Sequence, residues 1–263
     1  MKHLEHLRIL TISGEDAGDL LQGQMTQDIR KLEDEKIHMT SFCNIQGRVI
    51  ASAFIQCEGG GHYDLILSSE LVKDLCNHLQ RYILRSKVEI QESEKLVYGI
   101  FSKDIVNDRE SFKALSNNPE RMLSLKDRVP ECIENFITSE EWIEHDIKEM
   151  IPIINKESSE KFIPQMLNLD ILNAVSFSKG CYTGQEVVAR VQHRGKIKQR
   201  MFKIKTNSEN LISAGSEIHH GSKKVGTVVI SKSINNNSIC LAVINSADSM
   251  SQLNIGDREI KII

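Results

Sequence analysis

The sequence predicts an α+β fold, an antiparallel strand-and-helix body followed by a small C-terminal β-barrel. Three observations predict it. Residues 7–84 run strand, helix, three strands, helix, with strands near enough in sequence to pair as hairpins. There is no GxGxxG and no Walker sequence, so a doubly wound nucleotide-binding sheet lacks its phosphate loop. Past Gln199 helical spacing gives way to short strands and turns. The body is assigned to residues 1–199, with a break into two subdomains placed near 90–105, and the barrel to residues 200–263.

Leu7 to Ile12 reads as a strand, and Ser13 with Asp16 resembles a cap for a helix from Ala17 to Ile29. Lys36 to Asn44 and Arg48 to Cys57 are strands joined by the hairpin signal Asn44-Ile45-Gln46-Gly47. Gly59-Gly60-Gly61 turns the chain into a strand from His62 to Leu67. Ser68 or Ser69 then caps an amphipathic helix reaching about Leu84, with Leu71, Leu75, Leu79 and Ile83 four apart. Asp104 to Asn118 is polar and aperiodic, which predicts a loop. Thr138-Ser139-Glu140-Glu141 opens a helix containing Trp142. Barrel strands are expected at Met201 to Thr206, Lys224 to Ser231, Ser238 to Asn245 and Arg258 to Ile263.

At 263 residues, with 40% hydrophobic and 26% charged side chains, the chain has the composition of a globular protein. No apolar run approaches the roughly 18 residues of a membrane span, and Met1 to His6 lacks an apolar signal core, so a cytoplasmic protein without a membrane partner is expected. The six cysteines include no CxxC pair and no short cysteine–histidine cluster. That argues for free thiols and against a metal site within one chain. His219-His220 read as surface residues. The net charge of −3 hides an asymmetry. Arg190, Arg194, Lys196, Lys198, Arg200, Lys203 and Lys205 form a stretch without an acid, while Glu131 to Glu149 holds seven acids and, of lysines and arginines, Lys148 alone. Either is a solvated face on the plainest reading, yet the basic stretch also suits an anionic ligand or a nucleic-acid backbone.

The densest chemistry lies in Ser178-Lys179-Gly180-Cys181-Tyr182-Thr183-Gly184-Gln185-Glu186. Helical continuation from Val187 to Val191 places Cys181 in what reads as a helix's first turn, beside Lys179. Unpaired backbone N–H groups and an adjacent ammonium both favour a thiolate. A small buried thiol in a glycine-shaped turn is the competing reading.

Lys179 to Glu186, preceded by Pro164-Gln165-Met166-Leu167-Asn168-Leu169-Asp170, closely resembles the signature of YgfZ-type folate-binding proteins, relatives of the glycine-cleavage T-protein, an aminomethyltransferase that uses tetrahydrofolate. Leu20 to Gln24 with Thr26 and Asp28, Gln46-Gly47-Arg48, and the terminal barrel extend the resemblance over most of the chain. It implies a T-protein-like body around a central folate cavity, and a protein that supports iron–sulfur enzymes, including those that thiolate transfer RNA.

On that resemblance Cys181 and Lys179 take the chemical role. Tyr182, Gln185, Glu186 and Arg190 fall to the cofactor, tetrahydrofolate or a polyglutamated or one-carbon derivative. Gln165 and Asn168 match the preceding segment, and Gln22, Asn44 and Arg48 the looser N-terminal patterns. Each has a plainer alternative: Gln22 and Asn44 as local turn caps, Gln165 and Asn168 as loop braces, Tyr182 as core. The expected partners are reduced folate and iron–sulfur client or assembly proteins, and with one candidate ligand any cluster would be shared with another protein. T-proteins place an aspartate after the glycines of the first hairpin, whereas Arg48 to Ile55 contains no acid. That argues against glycine cleavage, since a positioned carboxylate is typically worth 10²–10⁴-fold. A folate-dependent aminomethyl or methyl transferase supplied with an acid from elsewhere, and an RNA-binding module using Arg190 to Lys205, are the rival functions. Low aromatic content counts mildly against the second.

Overall fold

Strands β1 (Leu7–Ser13), β2 (Lys36–Cys43), β3 (Val49–Gly59) and β4 (His62–Ser68) form the centre of the body in a computed structural model that describes residues 3–105, 109–129, 136–206, 212–234, 237–246 and 252–263. β2 and β3 are buried along almost their whole length, which is why they read as nearly continuous apolar runs. With β5 (Glu89–Glu92), β6 (Leu96–Phe101), β7 (Lys113–Leu115) and β8 (Asn118–Lys126) they make an eight-stranded sheet in the order β5-β1-β4-β3-β2-β7-β8-β6. Every pairing is antiparallel except β2 with β7, which run parallel at Lys36–Ala114 and Ile37–Leu115.

The helices are α1 (Ala17–Gln24), α2 (Val72–Gln80), α3 (Ser139–Lys148) and α4 (Gln185–Arg194). α3 starts with a capping box, Thr138 Oγ1 accepting from Glu141 N at 3.2 Å while Glu141 returns a bond to Thr138 N at 2.9 Å. Its Trp142 is fully buried against Gly99 of β6, under the guanidinium of Arg121 at 3.9 Å from the ring centroid. Arg121, itself fully buried, pairs with Asp146 at 2.7 Å and Glu149 at 3.0 Å.

After α4 the chain enters a closed barrel of β9 (Gln199–Thr206), β10 (Glu217–His220), β11 (Lys223–Ile234), β12 (Asn237–Asn245), β13 (Leu253–Ile255) and β14 (Arg258–Ile262), in the order β10-β11-β12-β9-β14-β13. The period of two divides β12 cleanly. Cys240, Ala242 and Ile244 point into the barrel core, whereas Leu241 and Val243 join Met201 and Val229 on the body's core. The barrel is thus attached through the outer faces of β9, β11 and β12.

Several expectations are corrected. α1 ends at Gln24 rather than Ile29 because Met25 turns extended, with ψ 155°, and bridges Phe42 of β2. The side chain of Asp16 makes no cap bond and instead accepts from Lys87 N at 2.8 Å. α2 begins at Val72, after a 3-10 turn, and stops at Gln80; Leu84 is 92% exposed with φ +39°, whereas Leu71, Leu75 and Leu79 are buried as expected. The predicted loop at Asp104 to Asn118 contains β7, whose three residues are too few to show a period. β10 and β13 escaped notice for the same reason. Lys196 to Lys198 precede β9 and form no strand, while Lys203 to Lys205 do alternate about the buried Ile204. Cys132, Glu131 and Glu134 lie outside the described residues.

A methyl group added at Gly99 would sit 2.6 Å from Trp142 Cε3, and that ring is held by Arg121. Gly99→Ala is expected to lower the unfolding free energy by about 1–3 kcal/mol in urea titration. Gly23→Ala, on the open side of α1, should be neutral or slightly stabilising.

Candidate functional site

Cys181 stands on the loop of residues 176–184, between the first hairpin, the segment after α1 and the start of α4. It is not in the first turn of a helix as the sequence suggested: α4 begins four residues later, at Gln185, behind an N-cap Gly184 with φ +83°. The glycine is required twice over, by that backbone conformation and by space. A Cβ there would lie 2.5 Å from Asn44 O and 2.9 Å from Gly47 Cα, and one on Gly47 would lie 2.9 Å from Val187 Cβ. The hairpin turn and the helix start therefore touch backbone to backbone. Asn44 fixes the turn, its Oδ1 accepting from Gln46 N and Arg48 N at 3.0 Å each, and its Nδ2 donating to Glu160 at 2.8 Å.

The second side of the loop is held by the segment that ends α1. Lys179 turns inward, 7% exposed, and its ammonium donates to Met25 O and Gln27 O at 2.8 Å each while lying 5.2 Å from the Tyr182 ring centroid. It is thus a tether to the body, committed to two carbonyls. Burial lowers its pKa to about 8, with the Asp28 carboxylate opposing the shift. Thr183 N donates to Gly23 O at 3.0 Å and its hydroxyl to Gln24 Oε1 at 3.1 Å. Thr26, fully buried, donates to Ala174 O at 2.7 Å. Thr26 and Thr183 carry the loop as much as Lys179 does; only their place in the N-terminal and signature patterns hinted at it. Tyr182 is buried, and burial raises its hydroxyl pKa.

Cys181 itself is exposed, whereas Cys43, Cys57 and Cys240 are buried and Cys76 half-buried. Burial pushes Cys43 and Cys240 up to about 12 and Cys57 up to about 11, and also raises Cys76. Among the described residues, then, the other four thiols are suppressed and one reaches solvent. No three His, Cys, Asp or Glu side chains among them are grouped to hold a metal ion, and no helix among them is long and apolar enough to cross a membrane.

The remaining residues of interest separate by role. Gln22 accepts from Ile29 N at 3.0 Å and donates to Asp28 at 2.9 Å, bracing the turn that carries the Lys179 acceptors. Gln165 is fully buried, its Nε2 donating to Val188 O of α4 at 2.7 Å while its Oε1 has no partner. Asn168, left-handed at φ +57°, donates to Met201 O of β9 at 2.9 Å. Beside it Arg200 grips Asp170 with two bonds of 2.6 and 2.9 Å, so this member of the basic stretch is an internal brace between body and barrel. Glu186 and Arg190 pair with each other at 2.7 Å on the exposed face of α4, and Gln185 is half-buried at its first position. Arg48 donates to Lys161 O at 2.6 Å and lines a cleft of about 550 Å³ between the hairpin and the barrel, together with Glu160, Lys161, Phe162, Gln199 and Lys224. A larger cleft of about 950 Å³ lies between α1 and residues 82–86, against Gly23 and Gln24.

Curated relatives match the chain over most of its length. The chain is 33% identical over 254 residues to the tRNA-modifying protein YgfZ of Buchnera aphidicola, covering 86% of this chain and 76% of the relative. The chain belongs to the YgfZ family. The YgfZ proteins of Enterobacter and of Yersinia pseudotuberculosis are each 27% identical and cover 93% and 94% of the chain. No family model matches it. Among solved structures, the glycine cleavage system aminomethyltransferase T of Bartonella henselae superposes over 99% of the chain and 83% of its own with a TM-score of 0.69 at 9% identity, which establishes a T-protein-like fold.

The depressed pKa of Lys179 has a sign that can be tested. Between about pH 8 and 10.5 the folded chain sheds a proton that the unfolded chain keeps, so stability rises with pH across that window. Urea titrations of wild type and Lys179→Met at pH 7.5 and 10 should show the difference between them shifting toward wild type by at most about 3 kcal/mol. An unchanged difference would mean that the amine does not titrate there.

Proposed function

We propose that this chain binds a reduced folate and supports iron–sulfur enzymes in the cytoplasm, among them enzymes that thiolate transfer RNA, with Cys181 as the working group. The observation that carries the proposal is that, among the described residues, one thiol is exposed, on a loop tethered to the body from two sides, in a family whose named members are tRNA-modifying proteins. An accessible thiol can exchange with a client's sulfur atoms or share in binding iron, whereas a buried one does neither. Because no metal-binding group exists among the described residues, a cluster would be completed by a partner's ligands.

The cleft at Arg48 suits a folate by its donor set. Arg48 and Lys161 offer cations to the glutamate tail, Lys224 being paired with Glu217 at 2.7 Å, and Glu160 with Gln199 offers hydrogen-bonding groups to a pterin edge. Its volume of about 550 Å³ falls within the usual range for small-molecule sites. A reduced folate, when bound, supplies a one-carbon carrier and an electron-rich ring. The protein's part is to hold and shield it beside the hairpin on which the Cys181 loop rests. Residues Val49 to Ile55 are buried and include no ionisable side chain, which leaves amine transfer without the carboxylate it uses in the hairpin of T-proteins.

Two measurements test the proposal. Calorimetry with tetrahydrofolate should give weaker binding for Arg48→Ala by about 1.5–3 kcal/mol, the cost of a charged hydrogen bond; no wild-type binding at millimolar folate would refute the folate part. In a strain lacking its own homologue, Cys181→Ala should fail to restore the activity of a tRNA-thiolating enzyme while its melting temperature moves by only a few degrees, since the side chain is at the surface. Full rescue by Cys181→Ala would remove the thiol from the function.

A further inference from the structure

We propose that the surface around Cys181 binds RNA directly, by its phosphate backbone and an unstacked base. Cations flank the exposed loop from both sides. On one side the Lys31 ammonium donates to Ser178 Oγ at 3.1 Å, with the exposed Arg30 next to it in the chain. On the other, the His193 ring of α4 stands edge-on to Phe177 at 6.4 Å between centroids, and the exposed Arg194, Lys196 and Lys198 follow it. Arg30, Arg194, Lys196 and Lys198 have no ion pair among the described residues. Lys31 lies 3.8 Å from Asp28, which Gln22 and Arg30 N also engage, while Glu33 is held by Lys36 and Glu186 by Arg190.

Between the two basic arms lie Ser178, Gly180 and Cys181, all exposed and none of them a large apolar side chain. A protein interface is ordinarily centred on buried aromatic or aliphatic anchors, and these three residues supply none. The exposed His193 ring, set on its edge against the half-buried Phe177 and flanked by cations, matches what a single-stranded RNA segment uses, a ring face for a base and positive charge for its phosphates. The geometry also sets the thiol inside the footprint, so that an RNA seated here reaches Cys181. The inference rests on the reading of this loop as the working site, and is independent of folate.

Fluorescence anisotropy with a labelled, unmodified tRNA transcript and the full chain tests it. Wild type should bind with a log–log salt slope of about −3 to −4, as five cations on single-stranded phosphates would give. Arg194→Glu with Lys196→Glu and Lys198→Glu should bind at least tenfold more weakly and with the slope reduced by about 2. The same charge change at the exposed Lys73, Lys126 and Lys156 should leave affinity within about threefold of wild type. The inference is overturned by absence of wild-type binding at 50 mM salt, by unchanged affinity of the triple variant, or by polyglutamate competing as well as RNA, which would mark an acidic protein as the partner. No folate and no iron–sulfur client is present in this assay, so its failure leaves the proposed function standing. Full rescue by Cys181→Ala in the complementation test, which removes the thiol from the function, leaves the RNA surface standing in turn.

Discussion

The site depends on one close contact between two glycines. Gly47 ends the first hairpin turn and Gly184 precedes α4, and their backbones approach to a distance that no side chain at either position allows. From this contact the rest follows. The turn is rigid because Asn44 caps it, so the start of α4 has a fixed seat, and the loop carrying Cys181 is strung between that seat and the Lys179 tether. Exposure and fixed position are thereby combined in one thiol, although exposed loops are ordinarily the mobile parts of a protein.

The second organising contact is that between body and barrel. Arg200 on β9 holds Asp170 and the carbonyl of Gln165, while Asn168 holds Met201 and Gln165 holds α4. The segment from Pro164 to Asp170 is thus a joint that orients α4 and β9 together, at a place where polar side chains replace backbone pairing. Its residues belong to the signature because the joint sets where the helix behind Cys181 points.

Much of this was legible in the sequence, and the misses have physical causes. The two hairpins, the Thr138 cap and the four longer barrel strands each carry a local signal, a turn dipeptide or a period, that survives without tertiary context. β7, β10 and β13 do not, because three or four residues hold no period. Cys181 lies outside the helix that the sequence suggests there, because apolar spacing from Val187 onward says where a helix runs but not where it starts. Its start is set by Gly184, whose conformation is imposed by a hairpin 140 positions away. Adjacency in sequence sets Lys179 to act on the thiol; the burial that draws it inward is invisible in a string of letters. Arg200 shows the same failing, counted with a basic run yet spent on an internal carboxylate.

The tethers of the Cys181 loop have a temporal consequence. Met25 and Lys179 are 154 residues apart, Thr26 and Ala174 148, and Gln24 and Thr183 159, so nearly two thirds of the chain must be synthesised before any of these bonds can form. Contacts of such long sequence separation close late, after local hairpins and helices are in place. A chain that has not yet closed these contacts therefore has neither the seat nor the tethered loop, and its Cys181 is one loose thiol among several until the N-terminal strands and the signature loop have found each other.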